Sequence, residues 1–418
     1  MPNKQDIALF ACRFCGAGIR RRVIDLGMAP LCENYLSAFQ LHQTEAFYPL
    51  NVYVCDSCFL VQLQEHVPRS AVFHEYAYFS SYSDSWVQHA KNYAEMIAGR
   101  VGLGAHSFIV EVGSNDGYLL QHFLAKGIPA LGVEPAANVA KAAEHKGVRT
   151  RVQFFSEEIA LDLVAEGKQA DLIVGNNVLA QVPDLNDFMR GVKALLNSDG
   201  VVTMEFPHLM RLIEGNQFDT IYLEHFSYFS LYTVERVFAA HGLRVFDVEE
   251  LPTHGGSLRI YARHSENPEK KSASRVEEMR SREIEAGLIG TDFSHAFGAR
   301  VKETKWKLLE FLILLKRKGK TIAGYGAPGK GNTLLNYCGI RTDLLDYTVD
   351  RNPYKQGKYT PGTHIPICPV ERIRETKPDY VLILPWNLKA EVMQQLAYIC
   401  EWGGQFVVPI PEVQVCRP

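Results

Sequence analysis

The sequence contains no unbroken apolar run of the roughly 18 residues needed to cross a bilayer. Its opening residues (MPNKQDIALFACRFC) lack the basic, apolar, small-residue order of an export signal. A cytoplasmic protein without a membrane partner is therefore expected. An excess of one charge is missing too: a net charge of −3 provides no broad basic field for nucleic acid or anionic lipid. Cysteines are few and odd in number, nine in 418 residues, which argues for free thiols or thiolate ligands and against a disulfide framework. No short repeat of fixed period is visible.

What remains is an ordinary globular composition, 47% hydrophobic and 22% charged, in a chain too long for one core. Three segments differ in texture. Residues 1–70 are irregular and hold two Cys-x-x-Cys pairs. Residues 71–265 alternate strand and helix patterns. Residues 266–418 begin with a charged helical stretch, made amphipathic by Trp306, Leu308, Leu309, Phe311, Leu312 and Leu315, and then return to strand–helix alternation. The expected class is α/β: a cysteine module, a Rossmann-like domain, and a second Rossmann-like domain.

Cys12-Arg-Phe-Cys15 and Cys55-Asp-Ser-Cys58 are two knuckles. Each places two thiolates within reach of one metal, and together they complete a tetrahedral Cys₄ shell suited to zinc. Four protein ligands leave no open position, so such a zinc is structural. Two unrelated thiol pairs are the alternative; a redox Cys-x-x-Cys fits poorly, because neither pair joins a strand to a helix. Cys32, Cys338, Cys368, Cys400 and Cys416 have no matching spacing and read as core or surface thiols.

Phe108-Ile-Val-Glu111-Val-Gly113-Ser-Asn115-Asp116-Gly117 is an apolar strand entering a glycine turn before a helix. The glycines let the backbone approach a ligand closely. The spacing is not Gly-x-Gly-x-x-Gly, which weakens a dinucleotide reading. A second strand ends at Glu134-Pro135, where a carboxylate can accept both ribose hydroxyls of an adenosine group. Phe155 follows as a candidate adenine contact, and a fourth strand ends at Asn177-Val178-Leu179. These four features, in this order, resemble class I S-adenosylmethionine methyltransferases; the alternative is a cofactor-free doubly wound domain with tight turns.

Beyond the next strand lie Asp219-Thr-Ile-Tyr222-Leu-Glu224-His225-Phe and His254-Gly-Gly-Ser257-Leu-Arg259. Methyl transfer to carbon needs a base. His225, with an ordinary pKa near 6.5, can be neutral and basic in the cell. Tyr222 can donate to a developing oxyanion and Glu224 can orient a partner. A histidine among aromatics can equally be a satisfied structural residue.

In the last segment Thr321-Ile-Ala-Gly-Tyr325-Gly-Ala-Pro-Gly-Lys330-Gly-Asn332-Thr reads as strand, glycine-rich turn and helix. Its backbone N–H groups suit a pyrophosphate, with Lys330 adding charge. Gly follows Gly-Lys, so this is not a Walker A loop. Substrate contacts are expected from Tyr325, Lys330 and Asn332, and further along from Lys355, His364 and Asn387; a purely structural lid is the alternative.

The knuckles, the Glu-Val-Gly-Ser-Asn-Asp-Gly turn, Tyr-x-Glu-His-Phe, His-Gly-Gly-Ser and Gly-Tyr-Gly-Ala-x-Gly-Lys-Gly occur here in one order. That order resembles the sugar C-methyltransferase family acting on nucleotide-linked 4-keto-6-deoxyhexoses, particularly the C-3′-methyltransferases of branched deoxysugar pathways, over essentially the whole chain. The resemblance implies a monomer that binds S-adenosylmethionine and zinc, with the sugar nucleotide held between domains. It implies His225 as the base at C-3′, Tyr222 steadying the enolate, and Glu224 supporting the site. It implies that the run containing Tyr76, Tyr78 and Ser81 closes over cofactor and sugar, with Tyr76 at the reacting centre and Tyr78 and Ser81 on the cofactor. Family members often carry a histidine where this chain has Gln181; an amide cannot exchange protons, so hydrogen bonding to the sugar is what Gln181 can offer. His254, Ser257 and Arg259 are further expected sugar contacts. O- or N-methylation of a sugar, a zinc-ribbon nucleic-acid methyltransferase, and a non-catalytic cofactor-binding protein are the competing readings.

Overall fold

The computed structural model describes residues 8–68, 79–267, 272–290 and 293–417. Expected elements that fall there are found with shifted ends, and the described residues form three larger sheets and one two-stranded hairpin.

The first knuckle sits in a two-stranded hairpin, Phe10–Ala11 with Gly18–Ile19, and the second joins strands Tyr48–Val54 and Val61–Leu63. These two strands belong to an antiparallel sheet with Arg21–Ala29 on one side and Ser227–Tyr228 on the other. The last strand comes from the second segment, directly after His225. The cysteine module and the expected reactive loop thus share one sheet.

The central sheet has seven strands in the order Leu243–Leu251, Ser257–His264, Leu196–Pro207, Ala170–Asn176, Ile109–Val112, Ala130–Val133, Thr150–Arg151. The last five are parallel, and Ser257–His264 runs antiparallel to both its neighbours. Ile109–Val112 and Ala130–Val133 are buried throughout, as strands covered on both faces must be. From Ile109–Val112 the chain first builds outward to Thr150–Arg151, then returns to add Ala170–Asn176 on the other side. That reversal is the switch point at which open α/β sheets bind ligands, beyond the strands' carboxyl ends. Helix Asp84–Val101 covers one face with Trp86, Ala90, Tyr93, Ala94 and Ile97, a helical repeat, and Ser83 caps its start by accepting from the Trp86 N–H.

The third sheet has order Ile367–Cys368, Tyr347–Val349, Ile322–Tyr325, Tyr380–Ile383, Gln405–Val408, Gln414–Cys416; it is parallel but for its last strand. Helix Gly329–Cys338 follows the glycine-rich turn. The charged stretch forms two helices. Ser274–Glu285 returns to the central domain, where Glu283 accepts from the N–H groups of Leu231 and Tyr232 and meets His208 at 2.7 Å. Phe293–Arg317 buries Leu308, Leu312 and Leu315, whereas Trp306, expected on the apolar face, is 60% exposed. Among the described residues no helix is long and apolar enough to cross a membrane.

Candidate active site and metal centre

The four knuckle thiols converge, with all Sγ atoms within 4.8 Å of one another, Cys12–Cys58 at 3.6 Å and Cys15–Cys55 at 3.5 Å. A tetrahedral zinc with bonds of about 2.3 Å separates its sulfurs by about 3.8 Å, so the cluster fits one ion. The shell is closed by protein ligands alone, and zinc here is structural.

The switch point holds a cavity lined by Gly113, Asn115, Glu134, Pro135, Phe155, Asn177 and Val178, all expected from sequence. Gly113 has φ +66°, and a Cβ there would lie 2.5 Å from Val178 Cγ2, so the turn requires glycine. Glu134 is buried and is held by the N–H groups of Asn115 (3.0 Å) and Ala136 (2.9 Å). Burial pushes its carboxyl up to about 7 despite those donors. A fixed acid beside an aromatic slot of Phe155, 5.3 Å from Phe188, suits the ribose and adenine of an adenosine group. Ser80, Trp86, Tyr118 and Asn176 also line the cavity; none is singled out by the sequence, although Ser80 lies in the tyrosine-rich run and Asn176 at the end of the fourth strand.

Several expected cofactor residues stand behind this wall and do not line the cavity. Glu111 is fully buried in its strand, and Leu179 is fully buried in the turn after Ala170–Asn176. Asp116 accepts from the Ser81 N–H at 3.3 Å and pairs with Lys146 at 3.2 Å; Gly117 packs on Val148 and Ala143. Ser81 shares that Lys146 contact. Tyr76 and Tyr78 lie outside the described residues.

A second, larger cleft opens between all three segments. Tyr222, Glu224, His225 and His254 face Tyr325, Lys330, Lys355 and Asn387 across it, and Asn177 and Gln181 line both cavities. The two spaces therefore meet at those amides. His225 Nδ1 lies 3.2 Å from the Thr220 carbonyl, which can only accept, so Nδ1 carries the proton and Nε2 is the acceptor. Tyr222 lies against the imidazole with ring centroids 4.0 Å apart. Burial depresses His225 to about 3 and His254 to about 4, with the Lys330 charge adding to both. His225 is thus neutral, as expected, but a much weaker base than its ordinary pKa suggests. His254 Nε2 accepts from Asn177 Nδ2 at 2.7 Å.

On the facing wall, Lys330 donates to Asn387 Oδ1 at 2.8 Å, sits 4.8 Å over the Trp386 ring, and is pushed down to about 8 by burial. Lys355 is buried against Tyr35 Oη (2.8 Å), the Ala327 carbonyl (2.9 Å) and Glu33 (3.3 Å). Four expected substrate residues are elsewhere. Arg259 is opposite Glu205 in the strand register and pairs with it at 2.6 Å. Ser257 donates to the Thr253 carbonyl, Asn332 donates to the Cys32 carbonyl, and His364 pairs with Glu45. None of them lines the cleft. Cys32, read in the sequence as a core or surface thiol, and Glu33, which no motif marks, do line it, together with Phe79, Tyr82, Asp350 and Arg351. Cys32 had no ligand spacing to mark it; Asp350 and Arg351 carried the one available signal, a charged pair at a strand's carboxyl end.

An adenosine pocket at the switch point of a seven-stranded sheet, joined to an acceptor cleft with a histidine, defines a class I methyltransferase that uses S-adenosylmethionine. Family models match in chain order: a zinc binding domain at residues 12–73, a methyltransferase domain at 89–248, and a C-methyltransferase C-terminal domain at 252–411. C-methyltransferase NovU of Streptomyces niveus is 36% identical over 413 residues, 98% of each chain. The chain belongs to this C-methyltransferase family, as its motifs implied, and is an S-adenosylmethionine-dependent C-methyltransferase. Solved structures similar to part of it include S-adenosylmethionine-dependent methyltransferases of Clostridium acetobutylicum (10% identity, 43% of this chain and 92% of that one, TM-score 0.35) and Listeria monocytogenes (14%, 38% and 92%, TM-score 0.32).

Proposed function

We propose that the chain methylates C-3′ of a nucleotide-linked 4-keto-6-deoxyhexose through an enolate. The observation that carries this reading is the meeting of the two cavities at Asn177 and Gln181, with Tyr222 and His225 on one wall and Lys330 on the other.

Bound S-adenosylmethionine supplies an electrophilic methyl group on a sulfonium. His225 Nε2 takes the C-3′ proton, and the C–H electron pair moves into the C-3′–C-4′ bond as the ketone oxygen becomes an enolate. C-3′ then attacks the methyl carbon, the S–CH₃ bond breaks, the ketone reforms, and the proton leaves His225 for solvent. A base depressed to about 3 cannot drive this alone. Most of the demand falls on enolate stabilisation, which we assign to Tyr222 and the Lys330 charge, both among the residues lining the cleft. Lys355, Asn387 and the turn beginning at Tyr325 bind the nucleotide end of the substrate, and Gln181 and His254 hold the sugar.

The test is incubation with labelled S-adenosylmethionine and dTDP-, GDP- and CDP-linked 4-keto-6-deoxyhexoses, with NMR to locate the methyl group. Carbon-linked label at C-3′, and deuterium exchange at C-3′ in D₂O, are expected. Label on oxygen, or at another carbon, would overturn the reading.

A further inference from the structure

Arg13 belongs to the first knuckle, between Cys12 and Cys15, yet its guanidinium leaves the metal module. Nη1 donates to the Pro183 carbonyl at 2.9 Å and Nη2 to the Leu63 carbonyl at 2.5 Å. The same group lies 5.3 Å from the centroid of the Phe226 ring. Pro183 lines the adenosine cavity, next to Gln181 and Val182. Phe226 directly follows His225, and its carbonyl accepts from the Leu63 N–H at 2.9 Å. One side chain therefore touches the loop that bounds the donor cavity and the loop that carries the histidine.

The backbone around Arg13 is fixed from both directions. Its N–H donates to Gln62 Oε1 at 3.1 Å, and Gln62 Nε2 donates to Cys12 Sγ at 3.1 Å. Asn186, three residues beyond Pro183, donates to the carbonyls of Arg13 (3.4 Å) and Phe14 (3.0 Å). A Cys-x-x-Cys turn has little structure without its metal, because binding energy at such a site is folding energy. The planar guanidinium fork holds two carbonyls in one fixed relation, which a lysine ammonium cannot do.

We propose that the Cys₄ zinc site acts on catalysis at a distance, with Arg13 as the positioning residue that transmits knuckle geometry to Pro183 and Phe226. Zinc and S-adenosylmethionine then favour the same loop arrangement, and each raises the other's affinity by one common factor. The coupling involves only metal and donor sites, so its test is independent of which acceptor the enzyme methylates.

Two measurements on the full-length zinc protein decide it. In wild type, zinc affinity read by equilibrium competition with a chromogenic chelator is expected to rise about tenfold when S-adenosylmethionine saturates the protein. Zinc affinity that is indifferent to the donor overturns the proposal, whatever the variants do. In Arg13→Ala, zinc content is expected to stay at one per chain while calorimetric S-adenosylmethionine affinity weakens about tenfold and the donor's effect on zinc affinity disappears. Arg13→Lys, keeping charge without the fork, recovers only part of the affinity. A folded, zinc-loaded Arg13→Ala that binds S-adenosylmethionine as wild type does also overturns it.

Discussion

Glu224 accepts the backbone N–H of Cys32 at 2.8 Å and its thiol at 3.2 Å, which places a carboxylate next to His225 under the control of the N-terminal module. The Glu33 N–H adds a third donor at 3.4 Å. Burial raises the Glu224 carboxyl to about 7, and these donors are what oppose that rise. The cysteine module thus forms part of the wall of the candidate cleft, through Cys32 and Glu33, besides carrying the four thiols of the metal centre.

Cys32→Ala removes the thiol donor and leaves Glu224 Oε2 buried with less to satisfy it, a loss of about 1–3 kcal/mol. Cys32→Ser retains a donor of similar reach. Thermal denaturation is expected to rank wild type and serine above alanine, and turnover should follow the same order. Zinc content stays at one per chain in all three, since Cys32 is not a ligand.

His225→Asn keeps a side-chain amide that can donate to the Thr220 carbonyl but removes the ring acceptor. Turnover is expected to fall by roughly 10²–10⁴-fold with S-adenosylmethionine affinity unchanged. The same variant checks the pKa. Between pH 6.5 and about 3 the unfolded histidine binds a proton that the native one does not, so this group makes stability rise with pH across that window. Wild type should therefore lose unfolding free energy relative to His225→Asn as pH is lowered from 7 to 5, by up to ~1.4 kcal/mol per pH unit, read by denaturant titration at each pH. A constant difference between the two proteins would reject a buried neutral imidazole.

Which parts of this site could be read from sequence follows from how each is built. The metal ligands and the Gly113–Glu134 pocket depend on local spacing and strand ends, so their residue patterns suffice. Arg259 shows the limit: its place after His-Gly-Gly-Ser fits a substrate contact equally well, until the antiparallel register puts it opposite Glu205. His364 is drawn away by Glu45, and Asn332 by the Cys32 carbonyl, both in the N-terminal module. Cys32, Glu33 and Arg13 gain their places only from packing between segments, and no local pattern encodes that. Trp306 misled because an amphipathic repeat marks a helix without fixing which of its border residues is covered.

Glu134→Gln leaves one acceptor oxygen for the Asn115 and Ala136 N–H groups and sets an amide N–H against the other. Donor affinity is expected to weaken about 10–100-fold, the range for losing a charge-assisted hydrogen bond. Because the carboxyl is pushed up to about 7, protonation removes the same acceptor in the wild type. S-adenosylmethionine affinity should accordingly fall as pH drops from 8 to 6 in wild type and stay flat in Glu134→Gln. Calorimetry at several pH values reads both, with no acceptor present.

Lys330 provides the clearest separation between binding and chemistry. Its ammonium is buried, held by Asn387 and stacked over Trp386, and Asp219, which accepts the Trp386 indole N–H at 2.6 Å, favours its charge. Burial outweighs that help and leaves the group at about 8, so it is charged below that pH and neutral above. If it contacts the substrate's phosphates, its attraction acts equally on bound substrate and transition state, and removing it raises KM with kcat unchanged. If it faces the enolate oxygen, the charge acts only in the transition state, and kcat falls while KM holds. Lys330 and His225 line the same cleft, close enough for the lysine's charge to depress the imidazole, which favours the second outcome. Lys330→Met is therefore expected to lower kcat by roughly 10²–10³-fold, the usual effect of losing one oxyanion donor. The wild-type rate should decline as pH rises through 8, and the variant should lack that limb. A variant with normal kcat and a raised KM would assign Lys330 to the nucleotide and leave Tyr222 as the enolate's donor.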